Sequence, residues 1–226
     1  SEDFISLTAI AIKDMKSSEK TDLLDGNDID VKSMVEENCA GFVYGDMTSV
    51  AVSEDGSKLA VAIQAENYAD TGRVALFTCN ADGTLTFDKV YETGVQPDMV
   101  TFASNDSKIL TADEGEPRDG YGDGIIDPKG TVTIINLADQ TVSQVDFTSY
   151  DNSDSREQLV ESGVILKKNT NPSVDFEPEY IAVGDKTAYV TLQEANAIAV
   201  IDLNQQSLTG VYSAGYEDYS TCAVDI

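Results

Sequence analysis

One pattern is written three times along this 226-residue chain: a short apolar run, a polar turn, a second apolar run that closes in acidic or amide residues, then a third run. The copies are VAVSEDGSKLAVAIQAEN (50–67), VTFASNDSKILTADEGE (100–116) and IAVGDKTAYVTLQEAN (181–196). Apolar runs of this length bounded by turn residues are strand signals. A strand-forming repeat with a period of roughly 40–50 residues is the mark of a β-propeller, in which each repeat supplies one blade of four antiparallel strands. The chain is therefore expected to be all-β, and its chemistry is expected at the rim where equivalent loops of successive blades meet.

The first blade is read over 49–93, with strands near 49–53, 58–64, 73–80 and 84–91 and hairpin turns at 54–57 and 80–83. The second spans 97–148, its outer strands at 131–137 and 141–147, with a long loop at 113–130. Loops of that length in a compact domain are usually functional or disordered. A helical insertion is expected at 153–163, where Asp154 and Glu157 make a capping-box pattern and Gly163 supplies the stop. The third blade runs over 179–213, and its continuous apolar run at 197–203 reads as a buried strand. Tyr180, Tyr189 and Phe102 read as blade-core residues.

After the third blade, Gly215-Tyr-Glu-Asp218 echoes Gly94-Val-Gln-Pro-Asp98, as though a fourth blade begins. Three blades and a stub do not close a ring, since propellers use about four to eight. The expectation is a partial propeller, completed by sequence beyond these residues on the same or another chain. Residues 1–48 lie outside the repeat: 4–12 alternates like a strand, 17–30 is polar like a loop, and 31–38 has room for two helical turns. No signal peptide is visible, and the first residue is Ser1 rather than Met, so an original start is expected to have been removed.

Lys and Arg number 14 against 41 Asp and Glu, a formal charge of −27. A nucleic-acid backbone or an anionic membrane would be repelled, and divalent cations are the natural partners. No stretch approaches the ~20 apolar residues of a membrane span. Histidine is absent, which removes Ser-His-Asp and Cys-His catalysis and the commonest general base. The three cysteines, Cys39, Cys79 and Cys222, lack metal-ligand spacing, which argues against zinc, and their pairing is left open by sequence.

In a four-stranded blade, the turn entering the innermost strand and the loop after the second strand lie on one face near the central channel. The repeat places acidic residues at both. Asp98 in the second blade and Glu177 and Glu179 in the third precede or open the innermost strand. Glu114 and Glu116 in the second blade and Glu194 in the third close the second strand, as Glu66 does in the first. Like charges gathered this way are costly unless a cation sits among them. Oxygen-only donors favour calcium, with magnesium or manganese as the other choices. The long loop adds Arg118, Asp123 and Asp127, although its spacing is not that of an EF-hand. The metal-ligand set expected is thus Asp98, Glu114, Glu116, Asp123, Asp127, Glu177, Glu179 and Glu194. A solvated acidic surface is the alternative reading. DGNDID (25–30) also resembles a calcium-loop fragment, and Asn105-Asp-Ser107 is a glycosylation sequon in a surface turn.

At LTADEGEPRD (110–119), DPKGTVTII (127–135), FEPEYIAV (176–183) and YVTLQEANA (189–197), the chain resembles the choice-of-anchor I β-propellers, over about residues 49–220. That family includes mesenchyme-specific cell-surface glycoproteins of biomineralising animals and bacterial relatives labelled alkaline phosphatase. The resemblance implies an extracellular or surface-anchored protein with calcium-linked or phosphate-linked roles. Two functions are weighed. One is a calcium-binding surface propeller acting in adhesion, matrix or mineral and phosphate handling, with matrix or cell-surface proteins as partners. The other is a metal-dependent phosphohydrolase acting on phosphate esters, with Glu114, Glu116 and Arg118 as the catalytic candidates. In it, Glu114, Glu116, Glu177, Glu179 and Glu194 hold metals and Arg118 clamps a phosphate oxygen.

Overall fold

In the computed structural model, which describes residues 6–10, 26–122, 124–216 and 220, each repeat folds as one antiparallel meander. The first blade is β3 (Tyr44–Val52), β4 (Lys58–Ala65), β5 (Thr71–Cys79) and β6 (Leu85–Val95). The second is β7 (Pro97–Ala103), β8 (Lys108–Asp113), β9 (Thr131–Asn136) and β10 (Thr141–Val145). The third is β11 (Pro178–Val183), β12 (Thr187–Leu192), β13 (Ala197–Asp202) and β14 (Ser207–Ser213). The fold is therefore all-β, with propeller blades that do not close into a ring. β3 begins five residues before the expected 49. Its pairing with β4 slips between Tyr44 and Asp46 and again between Met47 and Ser49, and such bulges hide a strand from a period-two reading.

Polar turns fix the register. Asp55 Oδ1 accepts from Ser57 N–H and Ser53 O–H, and Gly56 takes the left-handed backbone (φ 71°) that the turn requires. Asp82 with Thr84 and Asp139 with Thr141 repeat the device, each carboxylate accepting both the N–H and the O–H of the residue two along. Asn105 sits exposed in the β7–β8 turn, as its sequon position anticipated.

Alternate residues of a strand face opposite sides of its sheet, and the blades stack through those faces. Ala60, Ala62, Val74 and Leu76 of the first blade form one cluster with Val100, Ile109 and Ile135 of the second, and Phe102 packs against it. Leu110, Ala112, Val132 and Ile134 of the second form another with Ala188, Val190, Leu192, Ala199 and Ile201 of the third. Tyr180 and Tyr189 are not core residues: both are exposed on the face of the third blade turned away from the second. The run at 197–203 is likewise buried on one face only, with Ile198 exposed between Ala197 and Ala199.

Between the second and third blades lie α2 (Ser153–Glu161) and a short α3 (Pro172–Asp175). The cap of α2 is Asn152, not Asp154: its side chain accepts from Ser155 N–H at 2.9 Å, while Asp154 falls inside the first turn. Gly163, at φ 98°, ends the helix as expected. Leu159, Val164, Phe147 and Phe176 join the core, the two phenylalanines packing edge to face at 5.2 Å.

The N-terminal segment is not separate from the blades. β1 (Ser6–Ile10) pairs with β2 (Gly26–Asp30), and Asp30 caps α1 (Val31–Asn38) by accepting from Ser33 N–H. Residues 26–30, expected in a loop and compared with a calcium-loop fragment, are this strand, and their carboxylates serve the fold: Thr8 O–H donates to Asp28 at 2.7 Å. Val31 and Val35 are buried with Phe42, Tyr44, Val61, Ile63, Ala75 and Phe77, so α1 covers the outer face of the first blade.

Candidate functional site: an acidic rim between the second and third blades

The rim is organised by a residue that sequence reasoning passed over. Gln96, buried and left-handed (φ 55°), sits in the turn between β6 and β7. Its amide N–H groups donate to Tyr68 O at 3.0 Å and Glu116 O at 2.6 Å, and its Oε1 accepts from Arg118 Nε at 2.9 Å. Glu114 N–H donates back to Gln96 O. The turn entering β7 is thereby locked to the loop leaving β8. The Gly94–Asp98 echo noted above was the signal that could have found it. Gly94 itself has no room for a side chain, since a Cβ there would collide with Thr131 Oγ1 and the Asp113 carboxylate.

Asp113, the last residue of β8, is fully buried. It accepts hydroxyl bonds from Thr111 (2.7 Å), Thr131 (2.9 Å) and Thr133 (2.6 Å), and burial still pushes its pKa up to about 6. It holds the strands rather than facing the rim. The next residues do face it. Arg118 lies 3.4 Å from Glu114 and 3.2 Å from Glu116. Glu114 is raised to about 7, by burial first and then by the charges of Glu116 and Asp98, with Arg118 opposing. Asp98 is raised by burial against the pull of Arg118, and Glu116 adds repulsion.

The third blade completes the set. Glu177 is buried, and burial raises its pKa although Lys167 Nζ donates to it at 2.8 Å; Glu194 and Glu116 repel it. Glu179 is raised by burial and by Glu194, Asp98, Glu177 and Glu116 in turn. Six of the expected ligand residues, Asp98, Glu114, Glu116, Glu177, Glu179 and Glu194, are therefore close enough to feel one another across two blades. On the first-blade side, Gln64, Glu66 and Arg118 share a cleft of about 470 Å³ with Tyr44 and Tyr68.

Asp127 stands apart, beside Lys167 and Asp175; burial raises it, and among the described residues its buried Oδ1 finds no hydrogen bond. Asp123 lies outside the described residues. Lys167 is the internal cation of this corner. Its Nζ faces Asp175 Oδ1 at 3.3 Å and sits over the Tyr121 ring at 4.6 Å. Burial opposes its charge, but the contacts with Glu177 and Tyr121 outweigh burial and hold the ammonium above the ordinary lysine value.

Among the described residues, no three acidic side chains converge on a common point at metal-ligand distance. Also among them, Asp98, Glu179 and Glu194 make no ion pair with Lys or Arg, which leaves them as the rim's available oxygen donors. Among the described residues Cys39 and Cys79 carry free thiols, Cys39 accepting from Arg73 Nε at 3.1 Å; Cys222 lies outside the described residues.

Fold and site together define a partial β-propeller with an acidic rim. Residues 6–226 match the choice-of-anchor I domain, and the chain belongs to that family. No curated protein sequence matches it. Among solved structures it is similar to a nidogen/laminin complex (12% identity, 77% of this chain and 49% of that one, TM-score 0.43). It is similar also to the WD40 repeats of RRP9 (10%, 76% and 39%, 0.44) and to the Cps50 (Swd1) β-propeller domain of Myceliophteria thermophila (10%, 74% and 42%, 0.44). The chain thus spans less than half the length of each of these structures.

Proposed function

We propose that this protein is a surface or secreted propeller whose rim binds calcium, and that it acts in adhesion, matrix or mineral and phosphate handling by holding partners. The observation that carries the reading is the gathering of Asp98, Glu114, Glu116, Glu177, Glu179 and Glu194 at one rim of two neighbouring blades; Asp98, Glu114, Glu177 and Glu179 are raised by burial first, and the charges of their acidic neighbours add to it. A divalent cation between the blades relieves that repulsion, and the donors are all oxygen, as calcium prefers. Asp98, Glu179 and Glu194 would supply the first contacts, with Glu114 and Glu116 turning in from Arg118. Choice-of-anchor domains are typically found in surface or secreted bacterial proteins, which supports the location.

The phosphohydrolase reading keeps one favourable observation: Glu114, raised to about 7, is poised to exchange a proton near neutrality. Against it, the Nε and Nη2 edge of Arg118 is engaged by Gln96, Glu114 and Glu116, so in this arrangement that edge is not open to clamp a phosphate oxygen. Thermal melting in calcium and in excess chelator, alongside hydrolysis of a generic phosphate monoester, separates the two. Calcium at a hundred times its Kd should stabilise the fold by about 2.7 kcal/mol. Glu179→Gln and Glu194→Gln should remove most of that gain, with no turnover at any stage. An unchanged Tm with and without calcium defeats the proposal, and calcium-dependent turnover lost in Glu114→Gln replaces it with the hydrolase.

A further inference from the structure

A chain of formal charge −27 repels anions as a whole, yet the cleft on the first-blade side of the rim carries two cations, Lys32 and Arg118, against two carboxylates, Asp46 and Glu66. Gln64 and Tyr68 add neutral polar groups, and the volume of about 470 Å³ is that of a small-molecule site. Each wall has a structural cause. Val31 and Val35 turn one face of α1 onto the first blade, which leaves Lys32 on the helix flank with its ammonium 5.9 Å from the centre of the Tyr44 ring. Asp46 and Gln64 are cross-strand partners at the ends of β3 and β4, so they share a face. Gln96 donates to Tyr68 O and accepts from Arg118 Nε, so one buried amide fixes two residues of the cleft. Among the described residues the Lys32 ammonium makes no ion pair, and Arg118 Nη1 and the side chains of Gln64 and Glu66 make no hydrogen bond.

We propose that this cleft binds an acidic sugar, a hexuronic acid unit. Its carboxylate meets Lys32 Nζ and Arg118 Nη1, and its hydroxyls meet the Gln64 amide, which donates and accepts, and the Glu66 carboxylate, which accepts. A neutral sugar would leave both cations without a counter-charge. A phosphate monoester brings a charge of about −1.5 to −2, and with the Nε and Nη2 edge of Arg118 engaged, one lysine and one arginine nitrogen would have to hold it against Asp46, Glu66, Glu114 and Glu116. A single carboxylate needs no more than those two donors. The walls are already held in place by α1 and Gln96, so little ordering is left to be done on binding. The site needs no metal, and Lys32, Gln64 and Glu66 are not among the carboxylates proposed to hold calcium.

Isothermal titration calorimetry of the 226-residue chain in EDTA, with the galacturonic acid dimer and the neutral galactose dimer as probes, tests it. The acidic dimer should bind at one site per chain and weaken as salt is raised, and the neutral dimer should bind at least about tenfold more weakly. Lys32→Gln and Gln64→Glu should each weaken the acidic dimer by about tenfold or more, since the first removes a charge-assisted bond and the second sets a like charge against the ligand. Gln64→Glu keeps the side-chain volume and should leave the Tm in place, so its effect is not a loss of fold. Glu179→Gln should bind the acidic dimer as the parent chain does. Absence of binding, equal binding of the two dimers, or unchanged affinity in both cleft variants overturns the proposal. So does binding that appears only when calcium replaces EDTA and disappears in Glu179→Gln, since the sugar then sits on a rim cation and the calcium reading survives without the cleft.

Discussion

At one end of the blade stack, Val61, Ile63, Ala75 and Phe77 are buried under α1 and its neighbours; at the other, Tyr180, Tyr189, Ile198 and Tyr212 lie open. Both are outer faces of four-stranded sheets in one chain, and both are apolar. The difference teaches how little is needed to finish a sheet. An eight-residue helix, too short to hold its shape alone, suffices because Asp30 caps it and two valines reach the sheet. No described element does the same for the third blade, and its face keeps the residue types of an interface.

The sharpest way to break the comparison is to charge the covered face. Val35→Asp puts a carboxylate among apolar groups without a partner and should cost about 3–5 kcal/mol in urea unfolding. A loss below about 1 kcal/mol would mean that α1 is not the cover it is taken for.

A smaller, graded effect should arise from the middle of the stack. Asp113 and Glu114 have native pKa values of about 6 and about 7, above those of the unfolded chain, so the native state takes up these protons first. Stability should therefore rise as pH falls from about 7 towards the ordinary carboxylate range, where the unfolded chain titrates too. Asp30, Asp55, Asp82, Asp139 and Asp146 are depressed by the backbone and hydroxyl groups they accept from, and their stabilising contribution is lost below that range. Urea midpoints at pH 7.5, 5 and 3 should be highest at pH 5. Glu114→Gln should flatten the upper part of the rise, and a midpoint that falls steadily from pH 7.5 to 5 would contradict the buried-carboxylate account. Smallest of all, Ile198→Lys on the open face should change the stability of this chain by no more than about 0.5 kcal/mol. A large loss there would show that the face is already covered.

Which carboxylates share the rim could largely be read in advance because β-structure ties sequence position to face. Asp98, Glu114, Glu116, Glu177, Glu179 and Glu194 recur at equivalent points of the repeat, and equivalent points of stacked blades meet. Asp127 could not be placed that way, since it belongs to a long loop with no repeat to align, and the structure seats it by Lys167. Gln96 was missed because nothing in a glutamine's identity announces that its amide will join three partners. The exposure of Tyr180 and Tyr189 is not legible in sequence, because strand alternation says which residues share a face but not whether anything lies against it. Asp154 lost the cap to Asn152 because helix starts are decided by the backbone entering them, here extended at Asn152.

What the sequence determined alone was the repeat: local alternation and turn chemistry act within a few residues, so blades, hairpins and the rim's acidic composition follow without reference to the rest of the chain. What only the tertiary structure decided was which apolar face is covered, which carboxylates are raised and which cations are already taken. Those depend on desolvation and on charges brought close from distant parts of the chain, as when Lys167 reaches Glu177 and Arg118 is held by Gln96, and no local pattern encodes such meetings.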